Sequence, residues 1–184
     1  MKKLYLLSAL LIFAFGFGQT PITDANFNQA IETCLSTNPI NGMCSDSEYG
    51  AMPNWDVSQV TDMSYAFSTR NDFNADIGDW NVSNVTNMTQ MFYDNLVFNQ
   101  PIGSWDVGNV TDMNSMFRYS EDFNQPIGDW DVSNVTDMSY IFMSAYSFNQ
   151  PLNNWNVSNV TYMTQMFTSA YIFNQDISSW DVSS

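Results

Sequence analysis

The sequence predicts a repeat solenoid, in which similar coils stack on one another, each with one short parallel β-strand and one helical or 3-10 turn. A 25-residue unit contains too few large apolar side chains to enclose a core, so its apolar face must be buried against the next copy. Phenylalanines recur at this interval, as Phe73, Phe98, Phe123, Phe148 and Phe173. All six tryptophans do the same, as Trp55, Trp80, Trp105, Trp130, Trp155 and Trp180.

A complete unit reads FNQPIGDWDVSNVTDMSYIFMSAYS at 123–147. Four such units span 73–172, with partial units on both sides, so the repeats cover 52–184. The Ile-x-x-Trp-x-Val segment has β-compatible residues and is the predicted strand. Between Ser133 and Phe142, apolar residues at spacings of three and four predict the helical or 3-10 turn. The last five residues vary from unit to unit and predict an exposed edge at 93–97, 118–122, 143–147 and 168–172.

Residues 19–51 lie outside the repeat and predict an N-terminal cap, because the end coil of a solenoid exposes its apolar cross-section. A helix is predicted at 24–35, with Thr23 or Asp24 as its N-cap. One face of it would carry Phe27, Ala30, Ile31, Cys34 and Leu35. At the other end the sequence stops within a unit, which predicts either a longer natural protein or an open end that pairs with another molecule.

The first residues predict export. Lys2 and Lys3 precede an apolar run at 4–15, and Gly16 and Gly18 provide small residues before a cleavage point, so 1–18 resembles a secretory signal peptide. A membrane anchor is the alternative, but a spanning helix needs about 20 apolar residues. We therefore expect a secreted or bacterial cell-surface protein without a membrane span.

The two cysteines predict a Cys34–Cys44 disulfide, because an exported chain meets an oxidising environment. The alternative is a zinc site, which would need additional ligands in a chain without histidine.

The charge balance excludes several classes of partner. Without the predicted signal peptide, Arg70 and Arg118 face 19 acidic residues, so the formal charge is 2 − 19 = −17. A field of this sign repels phosphate backbones and anionic lipids, so we expect no nucleic-acid partner. Cations and basic proteins are favoured instead.

The sequence offers no catalytic constellation. Without histidine there is no Ser-His-Asp or Cys-His arrangement, and no glycine-rich phosphate-binding loop is present. Paired carboxylates occur, but they recur in every unit, whereas an active site is a single departure from symmetry. We therefore expect a protein that is not an enzyme.

Three sets of polar and aromatic residues are candidate sites. Residues of types common at interface hot spots fall in the variable edge and predict ligand binding: Tyr93, Arg118, Tyr119, Tyr146 and Tyr171. Carboxylates after the tryptophans are compatible with Ca²⁺ or with turn formation: Asp56, Asp106, Asp131 and Asp181. The column Asn74, Asn99, Asn124, Asn149 and Asn174 predicts inward-facing amides that bond to the next coil's backbone.

The segments FNQPIGSWDVGNVTDMNSMF at 98–117 and FNQPIGDWDVSNVTDMSYIF at 123–142 resemble the BspA-like leucine-rich-repeat surface proteins of bacteria, including related repeats of mycoplasma surface lipoproteins. The 25-residue length also falls within the leucine-rich-repeat range. The resemblance implies a right-handed, curved, leucine-rich-repeat-like solenoid that acts in adhesion or protein contact. It implies no defined ligand site.

The functional prediction is an interaction or adhesion module that binds an extracellular protein or matrix ligand through exposed solenoid faces. Two alternatives stay open. One is a fibre-forming protein that assembles with itself through its C-terminal end. The other is a calcium-stabilised spacer.

Overall fold

A computed structural model describes residues 19–183. The predicted signal peptide at 1–18 lies outside the described residues. Within 19–183 the helices are α1, at Phe27–Leu35, and a 3-10 helix at Met52–Asn54. The rest of this range consists of turns, extended backbone and isolated parallel β-bridges.

The bridges join equivalent positions of successive units. Asp62 pairs with Asn87, and the series continues through Asp112 and Asp137 to Tyr162. Every step is 25 residues long, so each unit lies against the next in register. We infer that the units are coils of a solenoid, and the leucine-rich-repeat class stays a prediction.

Stacked aromatic rings fill the interior. The indoles of Trp55, Trp80, Trp105, Trp130 and Trp155 are buried, and Trp180 is partly buried against the same core. Trp105 and Trp130 stack with ring centroids 6.5 Å apart. From Trp80 onward each indole N–H donates to the backbone carbonyl 28 residues earlier, as Trp105 does to Ile77 at 3.2 Å. Because a buried indole N–H needs an acceptor, this bond also fixes the register between coils.

Two phenylalanine columns run beside the tryptophans. Rings of the two columns that are six residues apart in sequence lie face to face, as Phe92 and Phe98 do at 4.0 Å. Each ring also stacks on its equivalent in the next coil, with Phe92 and Phe117 5.6 Å apart. The core is therefore continuous along the stack.

The predicted strand position is wrong. Among the described residues, the Ile-x-x-Trp-x-Val segment forms no strand, and the bridges lie instead at the column from Asp62 to Tyr162. The segment that follows this column carries the ladder of backbone bonds between coils. There every second amide donates to the carbonyl 24 residues on, as from Met63 to Asn87 and from Phe67 to Met91, both at 2.9 Å.

The predicted helical or 3-10 turn is also wrong. Residues at two positions four apart in each coil adopt left-handed backbone, with φ of 56° at Ser115 and 63° at Tyr119. A non-glycine residue in this conformation costs about 1 kcal/mol. The amides of Ser115 and Tyr119 donate to Ser139 and Met143 in the next coil, at 2.8 and 2.9 Å. These bonds between coils favour a conformation that local propensity does not predict.

The N-terminal segment covers the first coil. Helix α1 begins three residues later than predicted, and neither Thr23 nor Asp24 is its N-cap, because Asn26 precedes it. The five residues predicted to share one face are its buried residues. The Cys34–Cys44 disulfide is present, with the two Cα atoms 5.2 Å apart.

Asp24 bonds to the repeats instead of to α1. In later coils the amide of each threonine in the column donates to the carbonyl of the threonine one coil earlier, as from Thr86 to Thr61 at 2.8 Å. Thr61 has no earlier coil, and its amide and hydroxyl both donate to the Asp24 carboxylate at 2.7 Å. The Asp24 side chain therefore replaces the missing carbonyl at this edge.

Candidate functional site: the turn edge of the coils

One edge of the stack collects the tyrosines. We define the turn edge as residues 62–72, 87–97, 112–122, 137–147 and 162–172, the part of each coil that contains the left-handed residues. Every tyrosine of the chain except Tyr5 and Tyr49 falls within it. Because these residues sit on a backbone tied to the next coil by hydrogen bonds, they are presented on a rigid support.

Three of the predicted ligand-binding residues come together in the structure. The Arg118 guanidinium carbon lies 5.6 Å from the ring centre of Tyr93 and 4.9 Å from that of Tyr119. The two rings also meet edge to face at 5.7 Å. The ring centre of Tyr140, which sequence reasoning missed, lies 5.2 Å from the same guanidinium carbon.

Tyr146 and Tyr171, the other two predicted residues, form a second group. Their rings stack at 5.7 Å with an interplanar angle of 10°. They are 39% and 79% exposed, and Ile172 beside Tyr171 is 51% exposed. These side chains give the turn edge an apolar surface that water reaches.

Tyr140 lay outside the variable segments and so gave little signal. It occupies a left-handed position, in a column with Tyr65, Gln90, Ser115 and Gln165. This column varies as much as the predicted edge does. This variability indicates an exposed position, but the helical turn predicted for the segment does not place Tyr140 at the variable edge.

The candidate calcium carboxylates act within their own turns. Oδ1 of Asp56, Asp106, Asp131 and Asp181 each accepts the amide two residues on, as Asp131 does from Ser133 at 3.1 Å. Hydrogen bonds from the hydroxyl and then the amide of Ser133 lower the pKa of Asp131. Within residues 19–183, no three acidic or cysteine side chains are grouped to hold a metal ion.

The asparagine column holds neighbouring coils together. The amide of Asn99 donates to the side-chain oxygen of Asn74 at 3.1 Å, and the same bond recurs in each later pair up to Asn174. Gln125 adds a bond from its side-chain nitrogen to Asn99 at 2.9 Å. The column bonds to the next coil's backbone as predicted, but it is half-buried or exposed and not inward-facing.

A family model described as "Mycoplasma protein of unknown function, DUF285" matches residues 38–138 and again 100–184. The chain belongs to this family. The match spans the repeats, so the Trp-centred unit is the part of the chain that DUF285 describes. It agrees with the mycoplasma part of the resemblance seen in the sequence, whereas the BspA-like leucine-rich-repeat relationship stays a prediction.

Neither the curated proteins nor the solved structures gave a significant match. Residues 19–183 contain no helix with the length and apolar character needed to span a bilayer.

Proposed function

We propose that this chain is a non-catalytic, secreted or surface-displayed interaction module that binds an extracellular protein or matrix ligand through its turn edge. One observation carries the proposal. The tyrosines of the repeats are confined to one edge, whereas the tryptophans and the two phenylalanine columns pack inside.

Tyrosine combines a large rigid ring with a hydroxyl and loses little conformational entropy when it is bound. Together with arginine it is enriched at the energetically dominant centres of protein interfaces. The core here needs no tyrosine from the turn edge, and four of these tyrosines are exposed, namely Tyr65, Tyr146, Tyr162 and Tyr171. Membership of DUF285 and the resemblance to bacterial surface repeats support a role at the cell surface, and the predicted signal peptide supports export.

The test is binding of the purified chain, residues 19–184, to surfaces coated with extracellular-matrix proteins. The variant Tyr119→Ser, Tyr146→Ser, Tyr171→Ser should bind about tenfold less tightly or worse, because truncation at hot spots costs more than about 1 kcal/mol per residue. Its tryptophan fluorescence should match that of the unmodified chain, because the replaced rings lie outside the core.

A matched control changes uncharged, exposed residues elsewhere in the repeats. Gln59→Ser and Asn154→Ser together leave the turn edge and the net charge intact. This control should bind as the unmodified chain does. Equal binding by the tyrosine variant and the control would exclude the turn edge as the ligand surface.

A further inference from the structure

Arg118 differs from the other arginine of the chain. Arg70 forms an ion pair with Glu32 of helix α1. Arg118 lies in no such pair within the described residues, in a chain with a large excess of carboxylates. The guanidinium of Arg118 is therefore free to form an ion pair with a carboxylate of another molecule.

The tyrosines hold the Arg118 guanidinium in place. Its Nη2 donates to the Tyr119 hydroxyl at 3.1 Å. Its Nε is buried and has no hydrogen-bond acceptor, so the ring faces of Tyr93, Tyr119 and Tyr140 provide its compensation. An arginine fixed in this way loses little further freedom when it binds a ligand.

One side of the guanidinium remains available. Nη1 has no hydrogen-bond partner among the described residues and, unlike Nε, is not fully buried, so a ligand atom can still reach it. The Tyr119 hydroxyl accepts from Nη2 and can still donate its own proton outward. Arginine N–H groups and a hydroxyl side by side match the two oxygens of a planar carboxylate.

We propose that Arg118, framed by Tyr93, Tyr119 and Tyr140, binds an aspartate or glutamate side chain of the partner protein. This inference rests on the proposed function. The formal charge of −17 opposes a polyanion such as a sulfated polysaccharide. A single carboxylate on an otherwise basic protein surface avoids that repulsion. The partner surface is therefore basic overall, with an isolated acidic residue that meets Arg118.

The experiment uses NMR signals of the arginine Nε–H groups. The sequence contains two arginines, so Arg70 provides an internal reference. The probes are acetyl-Lys-Glu-Lys-amide and acetyl-Lys-Gln-Lys-amide, which differ in the carboxylate alone. The glutamate peptide should shift the Arg118 signal saturably, with a Kd of about 1–10 mM, the range of a single charge-assisted contact. The Arg70 signal should stay in place.

Matched variants test the geometry. Tyr119→Phe keeps the ring but removes the hydroxyl, and it should weaken the response to the glutamate peptide about threefold or more. Tyr65→Phe changes a tyrosine of the turn edge that has no ring contact with Arg118, and it should leave the response unchanged. Equal weakening by both variants would overturn the assigned geometry.

Two further outcomes would overturn the proposal. Equal shifts of Arg118 with the glutamate and glutamine peptides would mean that attraction of the lysines to the acidic chain explains the response. A saturable shift with inorganic sulfate and none with the glutamate peptide would mean that the group receives another oxyanion. In either case, loss of matrix binding by the tyrosine variant would still support the proposed function, so the two failures are distinguishable.

Discussion

Replacing Gly103 by alanine tests whether neighbouring coils touch as closely as the structure shows. A Cβ atom at Gly103 would lie 2.3 Å from the carbonyl oxygen of Pro126 in the next coil, a separation that real Cβ atoms essentially never show. The obstructing atom belongs to the backbone, so no side-chain rotation relieves the contact. The same contact would occur at Gly78 and Gly128, at 2.3 and 2.5 Å.

The magnitude follows from two opposing effects. Overpacking of a close contact costs about 1–3 kcal/mol. The backbone of Gly103 is not left-handed, so alanine restricts the unfolded chain and returns about 0.4–1 kcal/mol. We expect Gly103→Ala to lower the free energy of unfolding by about 1–2 kcal/mol.

The sequence supplies a compensating change. Glycine occupies this position wherever the facing residue of the next coil is proline. Where that residue is Asp76 or Asp176, the position holds Pro53 or Asn153 instead. Each aspartate accepts the amide two residues on, as Asp176 does from Ser178 at 2.9 Å. Because the positions that carry a Cβ atom face aspartate and not proline, we expect the backbone at aspartate to leave room for that atom. Pro126→Asp should then recover part of the stability lost in Gly103→Ala.

Urea denaturation followed by tryptophan fluorescence measures the effect, because the indole column reports on stacking of the coils. Asn153→Ala is the control, since that position already carries a Cβ atom and should change stability little. If Gly103→Ala and Asn153→Ala unfold at the same urea concentration, the close approach is absent. If Pro126→Asp further destabilises Gly103→Ala, the inferred pairing of residue types is wrong.

Two further predictions concern single side chains. Burial raises the pKa of Asp24, but the hydrogen bonds from Thr61 and Asp62 outweigh burial and lower the pKa below its ordinary value of 3.8. The stability that the ionised Asp24 contributes is therefore fully present above pH 3.8. It is lost as the pH falls through the folded-state pKa. Asp24→Ala should therefore cost about 1 kcal/mol at neutral pH and less in strong acid, where the carboxyl is protonated and accepts weaker hydrogen bonds. Thermal unfolding beside the control Asp46→Ala measures this, and a difference independent of pH would contradict it. Asn95 is buried with an unpaired side-chain nitrogen, whereas the equivalent Ser120 donates to Phe92 at 2.7 Å. Asn95→Ser loses the bond from the Phe98 amide to Asn95 Oδ1, but that amide can turn to the backbone carbonyl of residue 95, as the Phe123 amide does to Ser120 at 3.3 Å. Asn95→Ser should therefore raise stability by about 1 kcal/mol and Ser120→Asn should lower it, and the opposite signs in urea denaturation would refute the argument.

The interval of the repeat was predictable because burial of large rings is a strong and regular signal. Large rings such as Trp105 and Phe98 are buried, and their 25-residue interval predicts which residues of successive coils lie against each other. The backbone within a coil was not predictable from the same pattern. Ser115 and Tyr119 have no intrinsic preference for left-handed backbone, and they adopt it because their amides bond to another coil.

The candidate site was predictable to the extent that variability marks exposure. Tyr93 falls in one variable segment and Arg118 and Tyr119 in the next, and the structure brings them together. Tyr140 joins them across a coil boundary, and its contribution depends on a turn whose conformation the sequence did not reveal.

The capped first coil bears on the alternative of end-to-end assembly. Growth into a fibre requires that the first coil of one molecule accept the last coil of another. In this chain the first coil's edge is already bonded to the N-terminal segment, through Asp24 to Thr61 and through the Ile40 carbonyl to the amide of Asn74 at 2.7 Å. A parallel bridge between Thr23 and Gln59 adds to these contacts.

Addition of a molecule at this end would have to break all of these bonds, whereas a ligand at the turn edge meets tyrosines that are already exposed. The balance of bonds broken and formed therefore favours binding from the side over growth from the end.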